Sequence, residues 1–197
     1  MNLYSFHTNP EQLLHHDVAH DQVPDLIWDK HEYNHDELKK RESALAKDAG
    51  KAYAYAYLVK KAPFPEGEAA IATSPWNAFL YADLVLKKRW PAGEPAIATD
   101  ADCSYKYAES VIHGPFPAGE AAIAKEAGTA YMYARYVLKA PWPAGEAVIA
   151  KDAGQAYNYA LNVLKGPFPA GEAAIAKDPR YAQLYAKNVL KGPFPKE

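Results

Sequence analysis

Isoleucine returns at Ile71, Ile97, Ile123, Ile149 and Ile175, an interval of 26 residues, with Leu45 in the matching place one period earlier. An aromatic residue followed by proline keeps the same interval at Phe64-Pro65, Trp90-Pro91, Phe116-Pro117, Trp142-Pro143, Phe168-Pro169 and Phe194-Pro195. Gly-Glu recurs at Gly67-Glu68, Gly93-Glu94, Gly119-Glu120, Gly145-Glu146 and Gly171-Glu172. Tyr-Ala recurs at Tyr55-Ala56, Tyr81-Ala82, Tyr107-Ala108, Tyr133-Ala134, Tyr159-Ala160 and Tyr185-Ala186. A fixed period of this size marks a stacked repeat, in which each unit buries its apolar face only against its neighbours. Nothing interrupts the spacing from Ser43 onward.

One unit, from Pro117 to Trp142, reads as two helices. Pro117 suits a first helical turn, and Glu120 puts negative charge near the positive helix end. Ala121-Ala122-Ile123-Ala124 continues a short helix that cannot stand alone in water. Asp48, Ser74, Asp100, Glu126, Asp152 and Asp178 then occupy the cap position of a second helix of about thirteen residues. Gly114, Gly166 and Gly192, each before proline, are expected to stop that helix. Lys61, Lys87, Lys139, Lys165 and Lys191 near its end, like the glutamates of the short helices, read as partners of the helix dipoles. The expected fold is all-α: a solenoid of six 26-residue helix-turn-helix repeats over residues 43–197. Residues 1–42 form an atypical helical cap, with Asn34-His35-Asp36-Glu37 resembling a capping box that opens its last helix.

Comparing the six copies separates two faces of the long helix. Positions equivalent to 52, 53, 55, 56, 59 and 60 are nearly constant and span an arc of about 160°, the expected core. Positions equivalent to 51, 54, 57 and 58 vary and form the expected surface. This variable arc offers Leu80, Met132, Tyr136, Leu161 and Leu184 among Asp83, Lys106, Glu109, Arg135 and Asn158. Apolar and aromatic anchors mixed with both charge signs suit a protein partner. At the last copy Gln183 replaces the aromatic residue of every earlier one, which reads as a polar terminal cap. A monomer, or at most a weak homodimer through Tyr181 and Leu184, is therefore expected.

The formal charge is −2, and no one-signed basic stripe marks a nucleic-acid groove, so nucleic acid is not an expected partner. No apolar run has the length of a membrane helix, so no membrane partner is expected either. The single cysteine, Cys103, excludes an internal disulfide and suits a reducing, cytoplasmic setting. No nucleophile elbow, phosphate loop or dinucleotide motif occurs, so neither a catalytic residue nor a cofactor is assigned. Residues 1–42 carry nine acidic against four basic residues and six of the seven histidines. Within them His16/His20 and His31/His35 are i,i+4 pairs, the spacing that puts two imidazoles on one helix face for a metal.

The consensus FP-x-GE-AAIAKD through Y-x-YA-x-x-VLKGPFP resembles a class of short helical repeat proteins associated with tailed-bacteriophage genomes, across residues 43–197. The likeness to tetratricopeptide and Sel1-like solenoids is architectural only. The resemblance implies a small non-enzymatic protein that binds and modulates a host protein, including a component of antiviral defence, in the host cytoplasm. Two other readings are sequestration of a small ligand such as a nucleotide on the tyrosines, and metal binding by the histidine-rich head.

Overall fold

The structure, a computed structural model, describes residues 35–194, with side chains from Lys39 onward. Helix α1 (His35–Leu45) leads into six long helices that alternate with five short ones, and no strand occurs among the described residues. The short helices are α3 (Pro65–Ile71), α5 (Glu94–Ile97), α7 (Pro117–Ile123), α9 (Pro143–Ile149) and α11 (Pro169–Ala176). The long helices begin as α2 (Ala49–Ala54), α4 (Pro75–Leu80), α6 (Ala101–Lys106), α8 (Ala127–Met132), α10 (Ala153–Tyr159) and α12 (Pro179–Tyr185). Each long helix packs on its neighbours along the array and on the short helix that follows it, so long and short helices form two layers. This is an all-α solenoid.

The long helices differ from expectation in their second halves. Each continues as a π-helical stretch: Tyr55–Lys60, Tyr81–Leu86, Tyr107–Ile112, Tyr133–Leu138, Ala160–Leu164 and Ala186–Leu190. The wider winding starts at the repeated tyrosine or just after it in every copy. It therefore belongs to the repeat consensus, although π-helix is rare in proteins.

Helix ends also correct the sequence reading. The left-handed residue is Lys61, Lys87, His113, Lys139, Lys165 or Lys191, at φ between 51° and 56°, and no described glycine has a positive φ. A residue before proline is driven toward extended backbone, so Gly114, Gly166 and Gly192 cannot continue the helix. The reversal nevertheless falls at the same place at Lys87, where Arg89 replaces the proline, so proline alone does not set it. The amide of Lys61 reaches back to the carbonyl of Ala56, and the amide of Ala62 reaches the same carbonyl at 3.3 Å. Holding a lysine left-handed costs roughly 1–2 kcal/mol per repeat.

The helix starts follow the sequence. Asp48, Asp100 and Asp152 each accept the amide three residues on at 2.8 Å, Ser74 accepts that of Asn77 at 3.4 Å, and Asp178 accepts those of Arg180 and Tyr181. Glu126 is the exception: its carboxylate accepts from the Thr129 hydroxyl at 3.3 Å instead. Pro95 is a second proline that no other copy carries at this position, and α5 runs only from Glu94.

The core is a column of identical positions. Ile71, Ile97, Ile123, Ile149 and Ile175 are wholly buried, each side chain stabilising by about 1.5–3 kcal/mol. Tyr81, Tyr107, Tyr133, Tyr159 and Tyr185 are equally buried. The Gly-Glu glycine is required by close approach. A Cβ on Gly67 would lie 2.6 Å from the Phe64 ring and 2.7 Å from Ala52 of the preceding long helix.

Candidate functional site

The buried tyrosines raise the question of where their hydroxyls bond, since an unpaired buried donor costs about 1–3 kcal/mol. Each has the same answer. The hydroxyl of Tyr133 donates to Glu120 Oε1 at 2.9 Å and accepts the backbone N–H of Phe116 at 2.9 Å. The same pair of bonds is made by Tyr81 with Glu68 and Phe64, and by Tyr107 with Glu94 and Trp90. Tyr159 makes them with Glu146 and Trp142, and Tyr185 with Glu172 and Phe168. The rings of Tyr81, Tyr107, Tyr133 and Tyr159 also pack edge-on against the aromatic residue of the following corner, as Tyr133 does on Trp142 with centroids 5.1 Å apart, while Tyr185 lies tilted against Phe194. One tyrosine thus ties two successive corners together. Glutamates read from the sequence as dipole partners are the acceptors of this relay.

With the scaffold residues so committed, the variable arc holds what is left for recognition. The structure redistributes it. Cys103 and Thr129, at the position equivalent to 51, are buried at the seams between repeats, with Thr129 Oγ1 donating to Asp102 of the preceding repeat at 3.1 Å. Leu80 was expected on the surface but is only 4% exposed, packed in the core between helices, and so leaves the exposed set. Asp83, Lys106, Met132, Arg135, Asn158, Leu161 and Leu184 are half-buried, while Glu109 and Tyr136 are exposed. Conversely the Val and Leu or Ile positions equivalent to 59 and 60, expected in the core, are half-buried along the π-helical row.

Arg135 and Tyr136 are brought together. The Arg135 guanidinium carbon lies 4.9 Å from the Tyr136 ring centroid and 5.8 Å from that of Tyr131, and its Nη1 donates to the Tyr131 hydroxyl. Asn162 of the next repeat donates to the same hydroxyl at 3.1 Å and to the Asn158 carbonyl at 2.9 Å. Burial raises the Tyr131 pKa, while the Arg135 charge and hydrogen bond oppose that rise. Tyr105, one repeat back, is pushed up further, by burial first and then by its hydrogen bond to Glu109. Tyr136 is 44% exposed, the large hydrophobic side chain that stands out at the surface. Sequence comparison missed Tyr131 and Asn162 because the first lies on the constant arc and the second is one repeat away. The signal that finds them is the need for a partner at each buried hydroxyl.

Gln183 of the last described repeat is exposed. Tyr181 folds back on repeat five, its ring 5.9 Å from that of Tyr157. The metal candidates His16, His20 and His31 lie outside the described residues, as does the side chain of His35. No helix among the described residues is long and apolar enough to cross a membrane. Comparison of the chain with protein-family models, with curated proteins and with solved structures finds no match to any of them.

Proposed function

We propose that the array is a non-enzymatic protein-binding module that engages its partner through the variable face of the long helices, centred on Arg135 and Tyr136. One observation carries this reading: an exposed tyrosine with an arginine stacked across it and fixed from behind by Tyr131. Tyr and Arg are the residues that most often dominate the energetics of a protein interface, and a pre-positioned arginine loses less freedom on binding. Glu109, Met132, Asn158 and Leu161 lie on the same variable arc of this and the adjoining repeats and add mixed chemistry. The resemblance of the repeat to phage-associated helical repeats supports a host protein as the partner, a component of antiviral defence among the candidates, and the host cytoplasm as the setting. A polar Gln183, where every earlier copy has an aromatic residue, supports a monomer as the binding species. Stacking of a small ligand on the repeated tyrosines is disfavoured, because those rings are buried and their hydroxyls already bonded.

The test is capture from host lysate by the tagged full chain and by an Arg135→Glu, Tyr136→Ala double variant. Loss of a specific partner with helicity and melting unchanged is the expected result. Retention of that partner by the double variant refutes the site.

A further inference from the structure

The six copies depart from their own consensus most sharply at one place. Lys60 stands where the other copies have Leu or Ile, Lys88 where they have Ala or Gly, and Arg89 where they have Pro. With Lys61 and Lys87, five cations gather at the ends of the first two long helices, whereas each later repeat has a single basic residue there (His113, Lys139, Lys165 or Lys191). Arg89 pairs with Glu94 and Lys60 lies 5.1 Å from the Phe64 ring centroid, whereas Lys61, Lys87 and Lys88 have no carboxylate at salt-bridge distance among the described residues.

Between these two helix ends lies an open groove of about 650 Å³, walled by Tyr57, Leu58, Leu84 and Val85, with Lys61 and Lys87 at its rim. Both rim lysines are exposed and have matching left-handed backbones, at φ 52° and 51°, so each follows its helix end in the same way. Neither has a carboxylate at salt-bridge distance among the described residues; the ion pair there joins Arg89 to Glu94 at 2.5 Å. Asp83, the one carboxylate of the two π-helical stretches, is not part of the groove lining.

We propose that this groove is a second binding site, which takes an acidic, apolar-anchored segment of a protein partner. An aliphatic side chain enters between Leu58 and Leu84, and carboxylates on either side of it meet Lys61 and Lys87. Charge complementarity selects the occupant: unneutralised cations at the rim call for anions, and apolar walls call for a hydrocarbon anchor that a nucleic-acid backbone lacks. The site is separate from the Arg135–Tyr136 patch and does not depend on it.

The test uses the full chain and a fluorescein-labelled peptide with glutamate at two of every three positions and leucine at the third, read by fluorescence polarisation. Saturable binding is expected to weaken about tenfold in a Lys61→Glu, Lys87→Glu variant. It is expected to weaken several-fold in Leu84→Ala, and to stay unchanged in Lys165→Glu, Lys191→Glu and in the Arg135→Glu, Tyr136→Ala variant. Melting curves of all variants are compared with wild type, and Lys61→Gln with Lys87→Gln replaces the reversal pair if that pair unfolds. Equal loss from the Lys165 and Lys191 pair overturns the site as mere charge. An all-glutamate peptide binding as well as the mixed one overturns the anchor, and an oligothymidylate of equal charge binding more tightly overturns the protein partner. Binding that emerges only when Asp17, Asp21, Asp25 and Asp29 are changed to Asn assigns the groove to the chain's own acidic head and overturns an external occupant.

Discussion

Replacing Tyr133 by Phe isolates the relay, because it removes one oxygen and leaves the ring on Trp142. Two bonds are lost, from the Phe116 amide and to Glu120, both 2.9 Å. The Phe116 amide, hidden beneath the corner, is left without an acceptor at a cost of about 1–3 kcal/mol. Glu120 is only half-buried and regains water, so its loss adds roughly 0.5–1 kcal/mol. The sum is about 1.5–4 kcal/mol, which for a chain of this size lowers the melting temperature by about 3–16 °C. Urea denaturation followed by circular dichroism measures it, with Tyr136→Phe as the control. That ring is exposed, and its change is expected to stay within about 0.5 kcal/mol. Glu120→Gln keeps an acceptor oxygen and is expected to cost less than Glu120→Ala. A Tyr133→Phe loss no larger than that of Tyr136→Phe refutes the relay as a source of stability.

The relay also sets an alkaline limit. Burial pushes Tyr107, Tyr159 and Tyr185 up to about 12, against the pull of the backbone N–H each accepts. The unfolded chain releases these protons near pH 10, so their stabilisation is whole below about pH 10 and is lost as pH rises toward 12. A melting temperature that stays flat from pH 9 to 11.5 contradicts this. Gly171→Ala places a Cβ 2.6 Å from both Ala156 and Phe168 and is expected to cost about 1–3 kcal/mol by overpacking, whereas Gly166→Ala, with nothing nearer than 3.9 Å, is expected to be close to neutral in the same denaturation assay. Ile123→Ala empties a fully buried position and is expected to lower stability by about 2–4 kcal/mol. Light scattering of the wild type is expected to give a mass near 21.7 kDa, which Gln183→Tyr raises.

The period, the two helices per unit, the aspartate caps and the buried isoleucine were all legible in the sequence, because each follows from residue type at fixed spacing. The π winding was not. It differs from α-helix only in which carbonyl an amide chooses, and no residue type announces that choice. The helix stop was misread at glycine although the information was present, since proline after Gly114 or Ala62 already forbids the helix there. The glutamates illustrate a subtler loss. A dipole argument accounted for each Glu without asking about the tyrosine hydroxyls, yet a buried constant hydroxyl needs a constant acceptor. Glu68 precedes Tyr81 by 13 residues, and that offset holds in every copy down to Glu172 and Tyr185.

That the constant residues are consumed by the scaffold changes where function has to be sought. Each tyrosine hydroxyl of the relay is bonded within the array, so the repeated tyrosine holds the stack and has nothing left to offer a partner. Recognition then falls to residues that occur once. Arg135 and Tyr136 are such residues, as are Lys60, Lys88 and Arg89, where cations replace the Leu, Gly and Pro of the consensus. None of the five is required by the helix ends, which close the same way in copies that lack them. A repeat protein tolerates such replacements only where packing does not decide the residue. Arg89 also pairs with Glu94 and Lys60 lies over the Phe64 ring, so at the groove these replacements add charge beside the consensus lysines Lys61 and Lys87 that rim it.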